Sequence, residues 1–320
     1  MQKLLSKLKY EHFDYLNEST HALTTLYGIL CPKDNQELHN DIAKSLELIK
    51  SSTLIIDDIL DKSPQRNGIT SLYREIGIES SILVAEILKS QAVLNITKIV
   101  STISPQYLQR IIILLEDTYS TICQGQLEDI EYENIPIQEV TLEKFFNMIE
   151  QTSAHFVALP AIIASILSNR KEDEIARITR FGIYIGIAYQ IRDDILDIVS
   201  DQEYSGKAEL VDIKSNKKRL PIIITYENCN EKEKKQIEQI FNSTNEIDQT
   251  KIDLLLKLIK NKNSISKCCD LLSKFKSMAL EEIDNWYIKK QLEQLTSFSE
   301  LLTNFQSLSS DVKKEFGVSN

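Results

Sequence analysis

The chain has 320 residues but only 8 Gly and 6 Pro, too few corner residues for an all-β sandwich or barrel of that length. A hydrophobic fraction of 42% excludes a mostly disordered chain, and a net charge of −10 argues against a broad nucleic-acid surface while leaving room for a local basic pocket. The cysteines Cys31, Cys123, Cys229, Cys268 and Cys269 form no CxxC or Cys/His cluster, so neither a disulfide framework nor a zinc site is indicated.

In chain order, Met1–Tyr15 is charged throughout and lacks the apolar core of a signal peptide, so a soluble, cytoplasmic protein is expected. Ile42, Leu46, Ile49, Thr53, Ile56 and Leu60 then recur at steps of three and four, the stripe of an amphipathic helix. Arg110–Ile122, Leu142–Leu167, Glu174–Val199, Ile252–Leu258 and Met278–Leu295 read the same way. Alternation of period two is nearly absent, and the fold class expected is all-α, with ten or more helices. Breaks are expected at Cys31–Asn35, Asp61–Gly68, Ser101–Pro105, Asn134–Pro136, Ser168–Asp173 and Asp201–Pro221. Glu227–Thr250 reads as a solvated surface hairpin, and the polar tail Ser307–Asn320 is expected to fray. No repeat or linker divides the chain, so residues 1–320 are taken as one domain. The longest apolar stretches, Phe156–Leu167 and Phe181–Ala188, are shorter than the roughly 18 residues that span a bilayer, and no integral membrane segment is expected.

Two apolar helices end in the same pattern. Asp57-Asp58-Ile59-Leu60-Asp61 closes the first, and Asp193-Asp194-Ile195-Leu196-Asp197 closes another more than a hundred residues later. At i and i+4 the outer acids share one helical face, where like charges repel by a few tenths of a kcal/mol. The negative end of the helix dipole adds to that cost. A solvated helix end accounts for one such cluster taken alone. Two of identical form point to a hard divalent cation, since Mg²⁺ takes one or two carboxylates together with phosphate and water oxygens. The segment after the second cluster adds phosphate chemistry. Gly206-Lys207 and Asp212-Ile213-Lys214 lead into Lys217-Lys218-Arg219-Leu220-Pro221, a dense local run of cations in an acidic chain. Arg66, just beyond the first cluster, is placed to act from the other side; an ordinary charged loop is the alternative for either.

These features resemble the trans-isoprenyl diphosphate synthase (polyprenyl synthetase) family. The resemblance takes in Leu46-Glu47-Leu48-Ile49, Gln124-Gly125-Gln126 with Asp129, and Gly186-Ile187-Ala188-Tyr189-Gln190, and it covers roughly residues 15 to 225. It implies a class I isoprenoid synthase helical bundle around a central cavity and, as in most of the family, a homodimer. It further implies three Mg²⁺ held by Asp57, Asp58, Asp61, Asp193 and Asp197 on an allylic prenyl diphosphate, with Asp194 and Gln190 in the same site. Arg66, Lys207 and Lys217 would contact the diphosphate, beside Thr152. Ser52 and Thr53, small where the family uses bulk to cap short products, would leave room for a longer chain unless Phe145 or Phe156 fills it.

The sequence departs from the family where isopentenyl diphosphate binds. The GGKxxR stretch aligns with Asn17-Glu18-Ser19-Thr20-His21, the His or Gln before the first cluster becomes Lys50, and the RRG triplet reads Arg66-Asn67-Gly68. Gln151-Thr152 stands where the family has Lys-Thr. Each lost charge-assisted hydrogen bond costs on the order of 1.5–3 kcal/mol, so isopentenyl diphosphate is expected to bind poorly. The expected activity is a Mg²⁺-dependent prenyl transfer to an acceptor other than isopentenyl diphosphate. Relatives that prenylate a tryptophan of a signalling peptide, and relatives that cyclise the chain, show both outcomes on this scaffold. An ordinary elongating synthase with an isopentenyl site rebuilt from Lys50 or His21 is the enzyme alternative. A regulatory subunit of a hetero-oligomeric synthase is the non-enzymatic one, and it predicts eroded aspartate clusters, whereas both are intact.

Overall fold

The computed structural model describes residues 26–30, 36–66, 69–199, 210–241, 247–284, 289–305 and 313. The described residues are helical apart from short connections and one hairpin of two-residue strands. Helix α1 (Gln36–Leu60) leads into strands β1 (Gln65–Arg66) and β2 (Ile69–Thr70), paired antiparallel with Arg66 opposite Ile69. Helices α2 (Leu72–Ile76), α3 (Ile78–Lys98) and α4 (Pro105–Asn134) follow. Pro105 opens α4 at a position whose N–H would have no helical partner. Helix α5 (Leu142–Ile149), started by the Thr141 hydroxyl accepting from Lys144 N, runs through a π-turn at Glu150–Ala154 into α6 (His155–Leu167). Then come α7 (Glu172–Val199), the single turn α8 (Val211–Lys214), α9 (Leu220–Glu227), α10 (Glu231–Phe241), α11 (Gln249–Asn261), α12 (Ser264–Ile283) and α13 (Lys289–Thr303).

Helix α7 is the axis of the bundle. It packs along α6 on one side and α12 on another, while α1 packs along α3. Its approach to α6 is backbone-close: a Cβ on Gly186 would lie 2.5 Å from Ala154 Cα, and one on Gly182 2.6 Å from Ala158 Cα. Gly125 of α4 meets the π-turn from the opposite side, where a Cβ would lie 2.7 Å from Thr152 Cγ2. The extra residue of the π-turn is thereby gripped between α4 and α7. One apolar core gathers Ile42, Leu46, Ile49, Ile111, Leu115, Ile163, Ile178 and Phe181; a second gathers Phe145, Ile187, Ile191, Ile195, Leu220, Ile223 and Leu255.

Three expectations need correction. Glu227–Thr250 is not simply a solvated hairpin: α10 lies inside it and buries Ile237, Ile240 and Phe241, a three-and-four stripe hidden among lysines and glutamates. Met278–Leu295 is not one helix, because α12 ends at Ile283 and Asp284 turns extended at φ −61°, ψ 142° before α13 begins. The apolar run ending at Leu167 belongs to a continuous helix, Leu142–Leu167, that is long and apolar enough to cross a membrane by length and composition; most of its apolar window is buried inside the bundle. The breaks at Ser101–Pro105, Asn134–Pro136 and Ser168–Asp173 fall where the helices end. The expected break at Cys31–Asn35 and the expected fraying of Ser307–Asn320 lie outside the described residues, Lys313 apart.

Candidate active site

The hairpin after α1 folds Arg66 back onto the helix end that precedes it. Arg66 Nη2 donates to Asp57 Oδ2 at 2.5 Å, and Nε donates to Asp58 Oδ1 at 2.8 Å. Gln126 of α4 donates to the other Asp57 oxygen at 3.3 Å. Asp58 is buried at 1% exposure, whereas the Asp57 side chain keeps 26%. Burial raises the Asp58 carboxyl to about 6 against the opposing pull of Arg66. Asp61, one turn after Asp57, takes an ion pair from Lys217. Burial and the Asp57 charge raise it to about 7, with Lys217 and Arg219 opposing.

In the second cluster Asp193 is bridged by its neighbour Arg192 at 3.3 Å, and Arg192 also donates to Asn304 O at 2.7 Å. Asp194 turns inward. It accepts from Gln190 Nε2 at 3.0 Å and from the Leu220 backbone N–H at 3.2 Å, so it fastens the start of α9 to α7. Burial raises it to about 7, with Arg219 opposing. Gln190 in turn accepts from Ser153 of the π-turn at 2.9 Å. Asp197 Oδ1 accepts from Val211 N at 3.1 Å.

A run of cations lies between the clusters. Lys217, 2% exposed, pairs with Asp61 and with Asp129, the latter at 2.9 Å. Arg219 places both terminal nitrogens on Asp129, at 2.8 and 3.1 Å, and its Nε lies 3.5 Å from Asp212 Oδ1. Against the cost of burial, Arg219 and Lys217 hold the Asp129 carboxyl below its ordinary value. Lys218 donates to Tyr132 O and Glu133 O at 2.9 and 3.0 Å, and Asn216 donates to Glu133 O at 2.7 Å, so the whole segment is stapled to the end of α4. Lys50 is buried on α1. Burial and Arg66 bring its ammonium down to about 7 against Glu47 and Asp193.

The residues singled out in the sequence are thus brought together from α1, the hairpin, α4, the π-turn, α7 and the α8–α9 connection. Thr152 donates to Met148 O at 3.1 Å, and Gln151 to Glu128 Oε1 at 3.1 Å. Thr53 donates to Lys50 O at 2.9 Å, and Ser52 is buried beside Tyr119, an aromatic neighbour that neither Phe145 nor Phe156 anticipated. Lys207, Asn67 and the stretch Asn17–His21 lie outside the described residues. Sequence reasoning placed Asp129 only within the resemblance and Asp212 and Arg219 only within the basic segment, and it gave no role to Ser153.

The site is rich in hard oxygen donors, and its chemistry is that of polyanion and cation binding beside an apolar helix bundle. Among the described residues no three His, Cys, Asp or Glu side chains already converge as a metal cage.

The family model described as polyprenyl synthetase matches residues 17–259. The geranylgeranyl diphosphate synthase of Saccharolobus solfataricus is 26% identical over 262 residues, which cover 80% of this chain and 78% of that protein. The solved geranylgeranyl pyrophosphate synthase of Lactobacillus brevis matches with a TM-score of 0.79 at 22% identity, covering 93% of this chain and 90% of its own. That of Corynebacterium glutamicum, complexed with isoprenyl diphosphate and magnesium, matches with a TM-score of 0.77 at 21% identity, covering 89% and 85%.

Proposed function

The chain belongs to the polyprenyl synthetase family, and from that premise we propose that it is a Mg²⁺-dependent prenyltransferase that ionises an allylic prenyl diphosphate. The observation that carries this reading is one basic segment that touches both aspartate clusters, Lys217 pairing with Asp61 of the first and the Leu220 N–H donating to Asp194 of the second. Burial raises both Asp58 and Asp61 above the ordinary carboxylate range, a cost that a divalent cation beside them would offset. Asp57, Asp58 and Asp61 on one side, and Asp193 and Asp197 on the other, would hold the metal ions, which neutralise the departing diphosphate. The number three per site follows the family pattern.

The chain's own groups supply the rest. Arg66 and Lys217, each now paired to an aspartate, are the cations that would turn to the diphosphate, with Lys207 beside them by resemblance. Gln190, fixed between Ser153 and Asp194, shapes the same wall. Breaking the allylic C–O bond moves the electron pair onto the diphosphate oxygen, where fixed cations stabilise it. The apolar side chains behind the clusters keep water from the cation left on the prenyl group.

The acceptor in this proposal is something other than isopentenyl diphosphate. Burial and Arg66 lower the Lys50 ammonium, so it replaces a lost diphosphate cation only weakly, and Gln151 is turned to Glu128 rather than adding a cation. The alternative of chain elongation is favoured by the relatives, which include diphosphate synthases. Exposed Leu83 and Leu94 on α3, with Ile113 and Leu127 on α4, support a homodimer through these helices. A cytoplasmic location completes the reading.

Pyrophosphate release from farnesyl diphosphate tests the catalytic claim. Release that stops on chelation and returns with added Mg²⁺ is the expected result; release that is indifferent to chelation contradicts it.

A further inference from the structure

A run of ion pairs leads from the first cluster into the segment that precedes α9. It starts at Asp61 in the first cluster, passes to Lys217, then to Asp129, and from Asp129 to Arg219. Arg219 continues it to Asp212 at 3.5 Å, and the next residue, Leu220, donates its N–H to Asp194 of the second cluster at 3.2 Å. Arg219 is the hinge of this run. It is fixed by two hydrogen bonds to one carboxylate, and its own backbone caps α9, whose first N–H is held by Asp194. A guanidinium so held is a permanent cation, with little freedom to leave with a product.

We infer that Arg219 serves as a built-in cation between the two aspartate clusters, supplying before substrate arrives part of the positive charge that they require. The inference rests on the metal-dependent reading of the site and goes beyond it, because it assigns to a side chain a share of the neutralisation otherwise left to ions. It also gives a reason for a buried arginine among so many acids: as placed it has the Asp129 carboxylate on both terminal nitrogens and Asp212 3.5 Å from Nε.

The test is calorimetric titration of Mg²⁺ alone, and of Mg²⁺ with inorganic pyrophosphate, into the full chain and into Arg219→Gln and Arg219→Lys. Arg219→Gln keeps an amide to face Asp129, and Lys217 still neutralises that carboxylate. With one unit of positive charge gone from between the clusters, it should bind Mg²⁺ alone more tightly, by about threefold or more. Arg219→Lys, which keeps the charge and loses the fork, should stay within about twofold of the parent chain. A merely structural residue would loosen Mg²⁺ binding when removed, so the sign of the shift separates the two. An unchanged or weakened isotherm in Arg219→Gln overturns the inference. If that variant does not fold, Arg219→Lys carries the test: agreement with the parent supports a role for charge, and a larger change overturns it. Binding of Mg²⁺ by the parent with no effect at position 219 would sink this inference alone. No Mg²⁺ binding by the parent, with or without pyrophosphate, would remove the metal-dependent reading as well.

Discussion

Within each DDxxD pattern neighbouring carboxylates differ in exposure and in partners. Asp57 and Asp193 stay partly open, while Asp58 and Asp194 are buried and fasten the segment that follows, Arg66 in one case and the start of α9 in the other. Asp57→Ala and Asp193→Ala should therefore fold and lose pyrophosphate release, measured with farnesyl diphosphate; full activity in either would contradict the metal assignment. Asp194→Ala should instead lower stability by about 1–3 kcal/mol in denaturant unfolding, because the Leu220 N–H and Gln190 lose their acceptor. Lys218 gives a pH signature away from the carboxylates. Burial lowers it from 10.5 to about 8, so between those values the unfolded chain holds more protons and this residue makes the fold more stable as pH rises. Lys218→Met should lack that slope in unfolding curves taken across the window; an unchanged slope would show that the residue does not produce it. The acids themselves were legible in the sequence because an i, i+4 repeat of like charge is costly. Their division into open and buried was not, since it depends on what α4 and the hairpin bring against each face.

Helix positions follow from period, but helix contacts follow from small residues that period does not reveal. Gly186 lets α7 touch the π-turn at Ala154, and the π-turn in turn presents Thr152 and Ser153 to the site. Gly186→Ala would force the two backbones apart, with an expected loss of about 1–3 kcal/mol in thermal or chemical unfolding. Activity should fall with it, because Gln190 lies on the same helix one turn on. Wild-type stability in that variant would show that the contact relaxes without strain. The long apolar helices α1, α6 and α7 were legible as stripes or as continuous apolar runs. Helix α10 was missed because its three buried residues are diluted by lysine and glutamate, and the end of α12 because nothing local in Asp284 requires the chain to leave the helix. The π-turn carries no sequence signal of its own; it is set by the packing of Gly125 and Gly186 on either side.

For the molecule as a whole, the class I isoprenoid synthase fold brings both aspartate clusters and the Lys217–Arg219 segment to one place from stretches far apart in sequence. That convergence was legible only through resemblance, because spacing along a chain says nothing about which helix ends meet. The apolar side chains left exposed on α3 and α4 belong to this scale too. Leu127→Lys, on a side chain 67% exposed, should turn a dimer into a monomer in light scattering with little loss of monomer stability; an unchanged mass would place the interface elsewhere. The central claim is ionisation of an allylic diphosphate without isopentenyl diphosphate as acceptor. It is tested most directly by incubating the protein and Mg²⁺ with geranyl, farnesyl or geranylgeranyl diphosphate, each with and without isopentenyl diphosphate, and analysing pyrophosphate and products by mass. Release without isopentenyl diphosphate, yielding hydrocarbons or alcohols, is the predicted result. Longer diphosphates formed only in its presence would contradict the account and make the chain an elongating synthase.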